Sequence, residues 1–347
     1  LNRDDTGNPK DTEFGGARRA RISSQCIKRA IRNEPIFGEK TTVETGVRTR
    51  WLARKVTEKL ENAGKSAEDA EKLAIAFTKD FLGDMDKKEP QRSSVLAYMD
   101  DDEIQSIVDA LAKDGESAIA DAIKKLAKNM GEFTSAPDVA LFGRMLARKP
   151  TTIKLDAACQ VAHAISTHRV SMDLDYFTAV DDLKEDDETG SAMIGVTAFN
   201  SACFYRYARI DWELLVKNLG GDKALARKTV EGFLRATISA VPTGKQNSFA
   251  AQNPPDFLLG VARKDGESWS LANAFEKPIK AGRDGGYLAN SIEALDKYWG
   301  KLNKVYGGDG IQPAALALDD EAPLAHLKPA LKDNREAWVA SLLAGLE

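Results

Sequence analysis

Cysteine and histidine are both scarce in this sequence, with three of each among 347 residues. Cys26, Cys159 and Cys203 are odd in number and far apart, which argues against a disulfide framework and favours reduced thiols in a cytoplasmic setting. Cys159, His163 and His168 are the one local group of soft ligands, and their spacing matches no zinc signature. Cys26 sits in a basic stretch at the start of a helix, yet no motif pairs it with a histidine, so it reads as a small packed residue rather than a nucleophile. No hydrophobic run is long enough to span a bilayer, and no membrane partner is expected. No signal peptide is visible, although the chain opens on Leu1 rather than Met. Gly64-Lys65-Ser66 lacks the earlier glycine of a phosphate loop, since position 59 is Lys59, and it lies between helices. Neither a metal nor a cofactor is expected.

The most informative absence is local. From Ala17 to Asn33 there is no acid, while Arg18, Arg19, Arg21, Lys28, Arg29 and Arg32 give +6 in a chain whose net charge is −4. Ala17–Ile22 reads as a short strand, and Ser23 or Ser24 suits the N-cap of the helix that follows. On that helix Ile27, Ala30 and Ile31 fall on one apolar face, and Gln25, Lys28 and Arg32 on another. Hydroxyls, cations and the free N–H groups of a first helical turn then converge, as a phosphate-binding site requires. The competing interpretation is a solvated basic face; the missing acids and the serine pair favour nucleic acid.

Downstream, the spacing predicts helices over Thr49–Asn62, Ser66–Leu82, Asp100–Lys113 and Glu116–Met130. Strand-like segments follow at Val139–Met145 and Ile153–Val170. Asp173–Glu188 carries eight acids against Lys184, and with the turn Glu188–Ser191 and the strand formers of Ala192–Tyr207 it predicts a long hairpin. Lys223–Ala240 reads as a helix, Lys245–Ala251 and Phe257–Arg263 as strands, and Tyr287–Tyr306 and Arg335–Leu346 as helices. This order suits an α+β sheet domain with insertions. The pairs Asp4-Asp5 and Asp181-Asp182 could hold a divalent ion for phosphodiester hydrolysis. No third ligand stands at a motif-like spacing, so a loop and a solvated hairpin are the favoured interpretation.

The string Leu1-Asn2-Arg3-Asp4-Asp5, with Phe14-Gly15-Gly16 and Arg21–Ala30, resembles the opening of the CasC family, the backbone subunit of type I-E CRISPR Cascade complexes. The match recurs in Gly143-Arg144-Met145, Ala162–His168, Tyr176–Leu183, Phe204–Ala208, Val241-Pro242, Lys245-Gln246, Ala250-Ala251, Asn253-Pro254 and Leu271–Lys277. The resemblance implies an RRM-like (ferredoxin-like) palm in three parts, 1–40, 153–176 and 203–347, the last with C-terminal helices. It implies helical fingers over 41–152 and a β-hairpin thumb over 177–202. It further implies a short strand ahead of Asn2, so the numbering is expected to begin inside the palm sheet.

The function implied is a non-catalytic guide-RNA (crRNA) binding subunit that polymerises along the guide and displays it to target DNA in antiviral defence. The partners implied are crRNA, target DNA, neighbouring copies, other Cascade subunits and a recruited helicase–nuclease. Arg3, Lys10, Ser23, Gln25, Lys28 and Arg32 match backbone-holding positions, and Lys245 joins them. Arg18, Arg19, Arg21 and Ser24 complete the candidate set from the basic segment. Met145, Phe177 and Ile194 match apolar wedges near the thumb. A scaffold that accepts any guide should grip phosphates and leave base edges free. Six such contacts predict a log–log salt slope of about −4 per protomer. The alternative is a metal-dependent nuclease acting through Asp4 or Asp5.

Overall fold

A computed structural model describes residues 2–147, 152–179, 193–264, 266–307 and 309–346. The expected pair Asp181-Asp182 and the hairpin tip Glu188–Ser191 lie outside these residues. The chain forms an α+β protein of two compact units, one of residues 1–31, 161–208 and 237–347, the other of 32–160 and 209–236. Among the described residues no helix is long and apolar enough to cross a membrane.

The first unit is built on an antiparallel sheet in the order Asp11–Phe14, Ala17–Ile22, Ala164–Ser166, Phe204–Tyr205. Phe14 pairs with Ala17, leaving a two-residue turn at Gly15-Gly16 with φ of +59° and +66°. Left-handed backbone at both positions is the hairpin geometry that favours glycine. At Gly15 a Cβ would also stand 1.7 Å from the Glu276 carbonyl oxygen, so no other residue fits. A second ribbon pairs Phe257–Arg263 with Ile311–Ala317, and Gly260 opens space for Leu342 of the terminal helix Arg335–Ala344. Leu271, Phe275, Ile292, Leu295, Trp299, Leu324 and Leu327 form this unit's apolar core, with the helix Leu288–Tyr306 supplying three of them. The long hairpin is present as Asp173–Ala179 paired with Met193–Phe199, and its first strand starts four residues ahead of the boundary expected at 177.

The second unit holds the helices Leu52–Asn62, Ala67–Leu82, Asp101–Asp114 and Ile119–Glu132, whose apolar faces make one core around Phe77, Phe81, Leu60 and Ile104. Asp100 opens the third of these with a reciprocal cap: its carboxylate accepts the Glu103 N–H and the Glu103 side chain accepts its own. Glu103 also meets the buried Arg144 in a two-pronged ion pair at 2.5 and 2.7 Å. Residues 209–236 belong to this unit, whereas the sequence places them in the third palm segment. Asn218 shows why, since its buried amide donates to the carbonyls of Ala140 and Asp156 at 3.0 and 2.8 Å.

Two local expectations fail and a third is subdivided. Val139–Met145 is not one strand: Pro137–Phe142 is helical, with Pro137 in its first turn and Gly143 (φ +69°) stopping it before a strand over Arg144–Ala147. Ile153–Val170 divides into the short strands Thr152–Leu155, Cys159–Val161 and Ala164–Ser166. Lys245–Ala251 is not a strand but a four-residue helix, Gln246–Phe249, between left-handed residues Lys245 (φ 57°) and Ala250 (φ 44°).

Candidate nucleic-acid interface

The strand Ala17–Ile22 runs directly into the helix Ser24–Arg32, which buries Ile27 and Ile31 and has no acid in its first turn. Ser23 caps it: the Cys26 N–H reaches Ser23 Oγ at 3.4 Å. Ser23 is itself buried, and its own N–H donates to Asn2 Oδ1 at 2.8 Å. The helix start is less open than the sequence suggests. The Ser24 N–H donates to His163 Nδ1 at 3.2 Å, leaving the Gln25 N–H as the first-turn donor without a partner among the described residues. Gln25 and Arg29 are exposed, and Ser24 and Lys28 half-buried, on the outward side.

The N-terminal segment is laced across this corner. The Lys10 N–H donates to the Asn2 carbonyl at 3.1 Å, and the Arg21 N–H to the Lys10 carbonyl at 2.9 Å. Arg21 thereby comes beside His163, its guanidinium 3.4 Å from Nδ1. Loss of solvation, then the charges of Arg21 and Lys10, hold the His163 imidazole below its ordinary pKa. His163 enters the corner from 139 positions away along the chain. The sequence offers it only as one of three soft ligands whose spacing fits no zinc signature and as part of a matching motif with no role assigned.

Other candidates lie apart. Arg3 donates to the carbonyls of Gly7 and Ala198, the latter at 2.8 Å, and stands over the Phe249 ring, so it braces the base of the long hairpin. Arg18 is exposed but paired with Asp11 across the first hairpin. Lys245 is exposed at the start of its short helix. Met145 is 73% exposed. Phe177 is 43% exposed, with its ring over Gly195, the residue opposite it in the hairpin. Ile194 pairs through its backbone with Thr178; its side chain is outside the described set.

Two candidates are corrected. Arg19 is fully buried, and it donates to five carbonyls, those of Phe14, Ser166, Thr167, Phe275 and Glu276, at 2.8–3.2 Å. A guanidinium has five N–H donors, so nothing is left for a phosphate. Arg32 is also a structural residue. Its Nε donates to the buried Asp138 at 2.6 Å and its Nη2 to the Gly46 carbonyl at 2.9 Å, and the side chain is 15% exposed. Tyr98 Oη and the Gly46 N–H complete the shell of that carboxylate. Sequence spacing gives no sign of either, because every partner but Phe14 and Gly46 is more than a hundred positions away.

Asp4 closes a turn. Its Oδ1 accepts from Thr6 N, Thr6 Oγ1 and Asn8 N at 3.0, 2.7 and 2.9 Å, and these bonds hold its carboxyl below the usual range. Among the described residues no three His, Cys, Asp or Glu side chains lie close enough together to hold a metal ion.

A profile of the family described as "CT1975-like protein" matches residues 1–341. The chain belongs to this family. The resemblance to CasC read from the sequence agrees with that membership. Among solved structures, this CT1975-like chain is similar to one from a "CRISPR RNA-guided surveillance complex, pre-nicking", with a TM-score of 0.86 and 31% identity over 100% of this chain and 96% of the other. It is also similar to a chain of a "CRISPR RNA-guided surveillance complex", with a TM-score of 0.75 and 28% identity over 99% and 95%. No curated protein sequence matches it.

Proposed function

We propose that this protein is a guide-RNA-binding backbone subunit of a CRISPR Cascade surveillance complex. The observation that carries this reading is similarity along the whole chain, at a TM-score of 0.86, to a chain of an RNA-guided surveillance complex. The acid-free corner at Ser23–Lys28, with Lys10 and Arg21 beside it, supplies chemistry to match. Cations, hydroxyls and amides on a helix with no acid in its first turn suit a phosphodiester chain. The first unit acts as an RRM-like palm, the helices of the second as fingers, and the hairpin Asp173–Phe199 as a thumb. Lys10, Arg21, Ser24, Gln25 and Lys28 hold the guide backbone. Met145, Phe177 and Ile194 serve as apolar wedges that can part nucleotides without reading them. The subunit is a non-catalytic scaffold. Its partners are crRNA, paired target DNA, further copies of itself, other Cascade subunits and a recruited helicase–nuclease.

The test is co-expression with a guide array and the partner subunits, followed by purification and sequencing of the bound RNA. Recovery of guide RNA at a fixed length per protomer is expected. A protein that purifies without nucleic acid under those conditions refutes the proposal. Magnesium-dependent cleavage of bound target that disappears in Asp5→Ala would instead favour a nuclease.

A further inference from the structure

The His163 ring is held by two groups that can only donate. The Ser24 backbone N–H reaches Nδ1 at 3.2 Å, and Nη1 of Arg21 lies 3.4 Å from the same atom. Nδ1 must therefore offer a lone pair, and the ring proton sits on Nε2. The residue is exposed, and Nε2 has no partner among the described residues. Lys10 and Arg21 are the charged groups acting on the ring. The first-turn amide of the helix, which would otherwise face an anion, is thus capped by imidazole, and the donor presented outward is Nε2–H.

We propose that His163 is an RNA-contacting residue whose Nε2–H donates to a non-bridging phosphate oxygen of the guide, beside Arg21. The proposal rests on the guide-RNA reading above and adds to it a neutral donor. Lys10 and Arg21 supply the charge that draws the phosphate in, and the imidazole supplies a directional bond. The same two cations disfavour a third positive charge on the ring, so His163 binds as a neutral group. The second bond from Arg21 keeps the ring plane in place, so the donor is preset before RNA arrives.

The test compares wild type, His163→Asn and His163→Ala for binding of a labelled single-stranded guide RNA across a salt series. The Asn amide oxygen can stand where Nδ1 stands and keep the Ser24 N–H satisfied, but the side chain is too short to replace Nε2. Both variants are expected to weaken binding by about tenfold per protomer, the effect of one hydrogen bond to a charged acceptor. The log–log salt slope should stay as in wild type, because no cation is removed. Wild-type affinity in His163→Asn would overturn the proposal and leave the ring as a helix cap. A slope shallower by about 0.7 in both variants would overturn the neutral-donor assignment in favour of an imidazolium. Wild-type protein that binds no RNA refutes the function proposed above, an outcome distinct from either.

Discussion

His168 lies flat against Tyr287, with ring centroids 3.8 Å apart and planes 9° from parallel. Its Nδ1–H donates to the Arg169 carbonyl at 2.8 Å, and its Nε2 accepts the Cys203 N–H at 3.1 Å. The tautomer is thus the opposite of that at His163, five residues away. A second proton on His168 would sit on Nε2, facing another donor.

Stability should depend on that proton. Burial is the main cause that lowers the His168 pKa in the folded chain. The unfolded chain, at about 6.5, takes up the proton first as pH falls. The group's contribution is therefore complete above about pH 6.5 and is lost as pH drops from there through the folded-state value. Thermal melts between about pH 7 and pH 5 should show this loss in wild type and a flatter profile in His168→Gln. Parallel profiles would contradict the assignment.

Arg19→Lys keeps the positive charge and should still be damaging. A lysine has three donors on a point charge and cannot serve five carbonyls arranged around a planar fork. Several buried carbonyls would lose their partners, at about 1 kcal/mol or more each. Chemical denaturation should show a drop of about 3 kcal/mol. A melt like wild type would mean that the five-carbonyl arrangement is not what holds this corner.

Lys28 and Arg32 share a helix face, yet their replacements should separate. Arg32→Ala strips a buried carboxylate of its cation and should cost about 3 kcal/mol of stability. Lys28→Ala should cost less stability than Arg32→Ala, because Asp138 is fully buried and Lys28 is not, and should make the salt slope of RNA binding shallower by about 0.7. Paired melts and binding titrations distinguish the two.

Gly195→Ala should mimic Phe177→Ala. A Cβ at Gly195 would stand 2.3 Å from the Phe177 ring and push it off the hairpin face. If that ring parts nucleotides, both variants should blunt any regular pattern of reactive bases when bound guide is probed chemically. Chain stability should change little, since Phe177 is 43% exposed.

Much of the fold is legible in the sequence for local reasons. Ala17–Ile22 and Phe257–Arg263 form as predicted because their residues favour extended backbone and turn signals bound them. The second unit's four longer helices between Leu52 and Glu132 appear within a few residues of prediction because apolar spacing and caps such as Asp100 act within a turn or two. Val139–Met145 failed because β-branched and aromatic residues there are overridden by Pro137 and Gly143 at the ends. The candidate interface is legible as a place and less so as a list. A cap at Ser23 or Ser24 was identifiable from the neighbouring residues alone, and the structure makes it Ser23, whereas nothing adjacent to Arg19 announces its five carbonyls.

The amino-acid sequence by itself determined most of the longer elements, the acid-free basic segment and the family. Each depends on residue order over short spans or on motifs matched in register. Tertiary structure alone decided which cations remain able to meet an anion. Burial and hydrogen bonding are set by groups brought together from distant parts of the chain: Asp138 takes Arg32, the Phe275 and Glu276 carbonyls help take Arg19, and His163 reaches the Ser24 N–H. Charge can be counted along a sequence, but its availability depends on what surrounds it in three dimensions.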